Sequence, residues 1–174
     1  MELMLDEVVA ILSRSPATLD ALLSGLPETL LATRPADDAF SPIDVLGHLI
    51  HGEKTDWVPR IKVVLASGSE RPFEPFDRVG FKAAIAGRSV SDLLVEFGAL
   101  RVSNLAYLRS LSLTPSHLSL PGRHPELGLV TLGQLLATWA VHDLNHIGQV
   151  ARVVSLRYAA AVGPWKPYLG ILSQ

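Results

Sequence analysis

Apolar residues recur every three to four positions along four long stretches of the chain, a spacing typical of amphipathic helices. The stretches cover residues 2–24, 41–67, 89–111 and 131–158. Pro16 in the first stretch predicts a kink or a restart, because proline cannot donate the backbone hydrogen bond of a helix interior. Pro59 in the second stretch predicts a bend, unless the helix stops near Trp57 and another begins. No segment shows the sustained alternation that indicates a strand.

The last three stretches each open with a pair of residues that can cap a helix. The pairs are Ser41 with Asp44, Ser89 with Asp92, and Thr131 with Gln134. Two long connections, residues 68–88 and 112–130, join the stretches and are rich in glycine and proline. This pattern predicts an all-α fold, a four-helix bundle with long crossover connections. For a chain of 174 residues we expect one domain, over positions 1–174.

Composition narrows the functional classes. Hydrophobic residues make up 48% of the chain and the mean hydropathy is +0.31, yet polar residues interrupt every apolar run before it reaches membrane-spanning length. Residues 1–14 lack the basic start and uninterrupted apolar segment of a secretory signal, so we expect a soluble, cytoplasmic protein. The net charge is −2 and the basic residues are scattered, so no nucleic-acid-binding surface is evident. The apolar composition is compatible with a homodimer.

Two histidines, His142 and His146, lie four residues apart in the last predicted helix. This spacing places both imidazoles on one helix face, where they could bind one metal ion, although such pairs also occur on surface helices. The chain has no cysteine, so a third ligand must be a histidine or a carboxylate. His48 lies at the edge of the apolar face of the second helix and is the best candidate. A hydrogen bond to a neighbouring helix is the alternative explanation for His48.

Three segments of the chain together resemble one protein family. The segments are SPIDVLGHLIHGEKTDWVPRI, HPELGLVTLGQLLATWAVHDLNHIGQVAR and VGPWKPYLGIL. They resemble the DinB/YfiT-like superfamily, whose members are four-helix bundles with one histidine ligand from the second helix and two from the last. The resemblance implies that His48, His142 and His146 bind a divalent transition metal. Three neutral imidazoles suit zinc, nickel or iron(II) and do not distinguish among them.

A ligating imidazole needs an acceptor for its second ring N–H group. The candidate acceptors are Asp44, Asn104, Asp143, Asn145 and Gln149. Asn104 is the one polar member of an apolar line on the third helix, formed with Phe97, Leu100 and Leu108. A hydrogen bond between helices is the alternative explanation for Asn104.

The family resemblance implies three kinds of activity: transfer of a low-molecular-weight thiol to an electrophile, thiol-dependent isomerisation, and hydrolysis. Our leading hypothesis is a cytoplasmic metalloenzyme whose ion presents a thiolate or a water to a small-molecule substrate. One alternative is a non-catalytic protein that binds a metal or a small ligand, in stress response or as an interaction module. Another is a bundle with a vestigial site.

No catalytic residue follows from the sequence beyond the metal site, although His124 is a candidate acid or base at the pocket rim. We expect the two long connections to form the walls of the substrate pocket, because long ordered loops usually carry function. His51 and His117 have no assigned role. The segment HDLNH differs from the HExxH motif of zinc peptidases, because Asp143 stands where the glutamate base would be.

Overall fold

The computed structural model describes residues 3–173, most of which are helical. The helices are α1 (Leu5–Leu23), α2 (Glu28–Leu31), α3 (Pro42–Thr55), α4 (Trp57–Ser67), α5 (Lys82–Ile85), α6 (Val90–Ser110), α7 (Pro115–Leu118) and α8 (Leu132–Leu156). The predicted start of the first helix, Glu2, lies outside the described residues, and α1 begins at Leu5. None of the helices within residues 3–173 combines the length and the apolar character that crossing a membrane requires.

The predicted caps begin the long helices. The Oγ atom of Ser41 accepts a hydrogen bond from the backbone N–H of Asp44 at 3.2 Å, and the Asp44 carboxylate accepts one from the Ser41 N–H at 2.8 Å. Thr131 and Gln134 form the same reciprocal pair at the start of α8. At α6 the Ser89 hydroxyl accepts a hydrogen bond from the Asp92 N–H. Each cap satisfies backbone N–H groups that no helix carbonyl can reach.

The two prolines have different consequences. In α1 the helix continues through Pro16 without a restart. In the second stretch the alternative of two helices is correct, because α3 ends at Thr55 and α4 begins at Trp57. Pro59 is thus the third residue of α4, where its missing N–H costs no helical hydrogen bond.

The long helices form a four-helix bundle, as the sequence predicted. Helix α1 packs against α6 and α8, and α3 packs against the same two helices, while α4 continues along α8. Two hydrophobic clusters fill the interior, one around Trp57 and Trp139 and the other around Phe97 and Val150. Arg101 lies between the two clusters, because its guanidinium carbon is 4.9 Å from the centre of the Phe97 ring and 5.3 Å from that of Trp139.

The connection 112–130 contains a short β-hairpin, which the sequence analysis did not predict. Strand β1 (Pro121–His124) pairs antiparallel with β2 (Gly128–Thr131), in a register that places Pro121 opposite Thr131. Gly128 has φ of +76°, a backbone conformation that favours glycine and lets the turn close. Strands of four residues are too short to show a recognisable alternation, so the period-two signal is absent from the sequence.

Candidate metal centre

Three histidine side chains meet inside the bundle. The Nε2 atom of His142 lies 3.1 Å from Nε2 of His48 and 3.1 Å from Nε2 of His146. One potential ligand atom from each ring falls within 4.8 Å of the others. His142 and His146 come from one face of α8, and His48 comes from the facing helix α3. The fold thus brings His48 next to His142, although the two residues are 94 positions apart in the chain.

Aromatic side chains surround His48 and keep this region largely apolar. The ring centres of Phe40, Phe76 and Phe81 lie 5.6, 5.4 and 6.2 Å from that of His48. Gly47 permits the close approach of Phe81, because a Cβ atom at this position would lie only 2.6 Å from the Phe81 side chain. The connection 68–88 can therefore cover the histidines.

Burial keeps the three imidazoles neutral. It lowers the pKa of His48 to about 4 and that of His142 to about 3, with neighbouring histidines adding to both effects. Burial also lowers the pKa of His146, while its hydrogen bond to Gln149 acts in the opposite direction. At neutral pH the rings therefore present lone pairs, the form in which histidine binds a metal ion.

The hydrogen bonds of the rings fit the same role. Nδ1–H of His146 donates to Oε1 of Gln149 at 2.7 Å, which leaves Nε2 of His146 as the atom with the lone pair. Within residues 3–173, Nδ1 of His48 and Nδ1 of His142 have no hydrogen-bond partner. Three converging Nε2 atoms on neutral imidazoles suit a cation, since each ring can place its proton on Nδ1.

The cluster opens into a pocket of about 600 Å³. Both long connections contribute to its wall, through Phe76 and Arg78 on one side and His124 on the other. Asp56 and Arg60 also line the pocket and form an ion pair, with Nε of Arg60 lying 2.6 Å from Oδ1 of Asp56. Burial raises the pKa of the Asp56 carboxyl, and Arg60 opposes this shift.

The five predicted acceptors lie in different places. Gln149 is the residue that contacts a ligand ring. Asp44 is instead committed to the helix cap at Ser41 and to an ion pair with Arg34, because its carboxylate points to the start of α3. Asn145 is exposed. Asn104 and Asp143 point away from the histidine rings and belong to a second polar group.

That second group is centred on Arg101, which is 1% exposed. Its guanidinium group binds both oxygens of Asp143, at 2.5 and 3.2 Å, and Oε1 of Glu53 at 2.8 Å. Although burial acts to lower it, the pKa of Arg101 is raised above its ordinary value by Asp143 and Glu53. Since Asp143 is engaged in this way and does not line the pocket, it is not placed to act as a peptidase-like base.

Further hydrogen bonds extend the Arg101 group to all four long helical segments. Glu53 accepts from Nε1–H of Trp139 at 3.0 Å and from the amide of Asn104 at 3.0 Å. Arg101 also donates to the Leu12 carbonyl at 2.7 Å. That carbonyl would pair with the N–H four residues on, but this position is Pro16, which has none. Arg101 thus satisfies the acceptor that Pro16 leaves open, and α1 stays continuous.

Sequence reasoning missed Arg101 and Glu53. The buried line on α6 is Leu93, Phe97, Arg101, Leu105 and Leu108, whereas the predicted line passed through Leu100 and Asn104. Arg101 follows Phe97 by four residues and precedes Leu105 by four, so its place on an apolar stripe was a signal that it is buried. The alternative explanation of Asn104, a hydrogen bond between helices, matches its contact with Glu53.

The other three histidines lie outside the cluster. The His51 ring packs on Phe76, with 5.2 Å between the ring centres. His117 caps α7, since its Nδ1 accepts a hydrogen bond from the Thr114 N–H at 3.0 Å. His124 lies in β1 and lines the pocket, while its Nδ1 accepts from two backbone N–H groups in the hairpin turn.

Comparisons with known proteins agree with this architecture. The profile of the DinB superfamily matches residues 11–150 of the chain. Among solved structures the chain is similar to YfiT from Bacillus subtilis, described as a probable metal-dependent hydrolase with an unusual four-helix bundle topology. The two share 21% sequence identity and a TM-score of 0.74, over 90% of this chain and 89% of YfiT. No curated protein matches the chain. The profile spans most of the sequence, and the chain belongs to the DinB superfamily.

Proposed function

We propose that this protein is a metalloenzyme that holds a divalent transition metal on His48, His142 and His146 and acts on a small molecule in the adjoining pocket. The observation that carries the proposal is the convergence of three Nε2 atoms at the wall of a 600 Å³ pocket. Zinc, nickel and iron(II) all accept this ligand set. Such an ion supplies Lewis acidity, which polarises a substrate and makes a water or a thiol easier to ionise.

The residues around the three histidines have distinct roles in the proposed site. Gln149 fixes the proton of His146 on Nδ1, so that Nε2 is available as a donor atom. The phenylalanines around His48 exclude water from one side of the cluster. The Asp56 carboxylate lines the pocket and forms an ion pair with Arg60, which positions the guanidinium group at the pocket wall.

Hydrolysis of a small ester or amide is the reaction we favour, and transfer of a low-molecular-weight thiol is the alternative. The description of YfiT as a probable metal-dependent hydrolase supports the first. The pocket supports either, because its volume is in the range typical of small-molecule sites. Cytoplasmic location and homodimer formation stay predictions.

The proposal is tested by metal analysis of protein purified without an affinity tag, together with His48→Ala and His142→Ala variants. We expect stoichiometric metal in the wild type and its loss in both variants. His51→Ala is the matched control, since His51 lies on the same helix but outside the cluster, and it should retain the metal. Metal-free wild type, or equal metal content in all variants, would contradict the proposal.

The reaction is then decided by two substrate panels given to the metal-loaded protein. One panel contains small esters and amides, and the other combines low-molecular-weight thiols with electrophiles. Turnover in the first that disappears in His142→Ala identifies a hydrolase, and turnover that requires a thiol identifies a transferase. Stoichiometric metal with neither activity would favour a non-catalytic metal-binding protein.

A further inference from the structure

The ion pair of Asp56 and Arg60 lies in the same pocket as the three histidines. His48, Gly52, Asp56 and Arg60 are spaced four residues apart and all line the pocket. The pocket wall therefore runs from the histidines along α3 onto α4. His48 lies on α3 and Arg60 on α4, which begins at Trp57 after α3 ends at Thr55. A molecule that contacts both residues must therefore reach along the pocket wall.

Arg60 is held rigidly by one edge of its guanidinium group. Nε pairs with Asp56, and the guanidinium carbon lies 5.2 Å from the centre of the Phe73 ring. On the other edge Nη2 has only a 3.5 Å contact with the Glu74 carbonyl, and Nη1 has no hydrogen bond to any residue of 3–173. Arg60 is 9% exposed. A guanidinium group that is largely desolvated and has unused N–H groups binds anionic oxygen strongly.

His124 provides a second donor beside Arg60. Its Nδ1 accepts hydrogen bonds from the backbone N–H groups of Glu126 and Leu127, at 3.1 and 3.2 Å. The proton of the neutral ring therefore resides on Nε2. His124 and Arg60 both contact the Phe73 ring and both line the pocket, and the charge of Arg60 acts on the pKa of His124. Burial and the Arg60 charge lower the pKa of His124, so the neutral ring with its Nε2–H is the form present at pH 7.

We propose that Arg60 and His124 bind the carboxylate of an extended organic acid, whose other end lies toward the three histidines. Two neighbouring N–H donors suit the two oxygens of one carboxylate. Asp56 already balances the charge of Arg60, which favours a singly charged group over a dianionic phosphate. Phe76, Pro75 and Pro125 line the same pocket and provide apolar contacts for the hydrocarbon part. The role of this acid as a substrate rests on the proposed function, but its binding does not.

The test uses calorimetric titration of 3-phenylpropionate, its neutral amide 3-phenylpropionamide, and phenyl phosphate. Metal-free and zinc-loaded protein are titrated in parallel at millimolar ligand. We expect the carboxylate to bind metal-free protein at least roughly 10-fold more tightly than the amide, because a charge-assisted contact is lost in the amide. Arg60→Gln should weaken carboxylate binding roughly 10- to 100-fold, and His124→Ala roughly 10-fold.

Controls separate the built site from general positive charge and from misfolding. Arg78→Gln removes an exposed arginine that lines the same pocket, and it should change the carboxylate affinity by less than about threefold. Asp56→Asn with Arg60→Gln removes both charges together, which avoids leaving a buried carboxylate unpaired if the single variant fails to fold. The double variant should lose the preference for carboxylate over amide.

Each outcome bears on the proposal. Absence of carboxylate binding, equal affinity for the amide, tighter binding of phenyl phosphate, or an equal loss in Arg78→Gln would overturn it. Carboxylate binding that depends on Arg60 in a protein that takes up no metal would support this inference while contradicting the metalloenzyme. Metal uptake without carboxylate selectivity would leave the metalloenzyme standing and overturn the inference.

Discussion

His142 and Asp143 are neighbours in sequence, yet they belong to two polar groups with opposite properties. Successive helix residues point about 100° apart, so one side chain faces the pocket and the other faces α6. Around Asp143, donors and acceptors pair with each other: two carboxylates share the Arg101 guanidinium group. Around His142, the Nε2 atoms of three imidazoles converge, with no carboxylate or guanidinium group between them. The charges of the first group are paired within the protein. The second group has room for a ligand, such as a metal ion, that the protein itself does not supply.

The two groups also differ in the helices that they connect and in their charge. The Arg101 group lies where the two hydrophobic clusters meet and contacts α1, α3, α6 and α8. One guanidinium and two carboxylates give it a net charge of −1, next to a histidine cluster suited to a cation. Charged networks of this kind are costly to break because the surviving partners stay buried. We therefore expect variants of the Arg101 group to lower the free energy of unfolding, and variants of the histidine cluster to lower the metal affinity.

The largest effect is expected from Arg101→Met, which removes the shared partner of two buried carboxylates. It should lower the free energy of unfolding by about 3–5 kcal/mol, because Glu53 and Asp143 would remain buried without compensation. Urea denaturation of metal-free protein measures this change. Arg109→Met, at an exposed position of the same helix, is the control and should lower stability by less than about 0.5 kcal/mol. Equal losses in the two variants would remove the distinction between the groups.

His142→Leu should produce the opposite pattern. Metal affinity should fall by more than roughly 100-fold, beyond the 10- to 100-fold typical of losing only an outer hydrogen-bond partner. The free energy of unfolding of metal-free protein should change by less than about 1.5 kcal/mol, because leucine fills a similar volume without a polar atom to satisfy. Competition with a chromophoric chelator measures the affinity, and urea denaturation measures the stability. A large loss of stability without a change in metal affinity would assign His142 to the structural group.

Gln149→Ala tests the link between the histidine cluster and its surroundings. The hydrogen bond from His146 fixes the ring proton on Nδ1, so its loss should weaken metal binding roughly 10- to 100-fold. Asn145→Ala is the matched control, because Asn145 lies on the same helix within one residue of His146 but is exposed. The same chelator competition compares the two variants. An unchanged affinity in Gln149→Ala would show that the hydrogen bond does not orient His146 for binding.

The fold could be predicted from the sequence because its signals are local. The caps at Ser41 and Thr131 and the break before Pro59 depend on residues within one or two turns. The predicted all-α bundle and the DinB resemblance are confirmed. The hairpin was missed because its four-residue strands are too short to carry a periodic signal.

Only part of the site could be predicted from the sequence. Two histidines on one helix face are a local signal, and the family resemblance added His48, which the structure places beside them. Asp44 was predicted both as the cap partner of Ser41 and as an acceptor for a ligand ring, and the structure shows it in the cap. The apolar stripe around Arg101 indicated that it is buried, but its partners Glu53 and Asp143 come from other helices and could not be identified from local spacing.

The smallest effect concerns the pH dependence of stability in metal-free protein. Burial lowers the pKa of His142 from 6.5 to about 3 in the folded state, so between these pH values the unfolded chain binds a proton that the folded chain does not. Stability therefore falls as the pH drops below 6.5, by up to about 1.4 kcal/mol per pH unit for this residue. His142→Leu removes this contribution, so its stability should decline less steeply than that of the wild type between pH 6 and pH 5. Urea denaturation at the two pH values gives both slopes. Identical slopes in wild type and His142→Leu would mean that His142 is not held neutral by burial, and the contrast with the charged Arg101 group would lose its electrostatic basis.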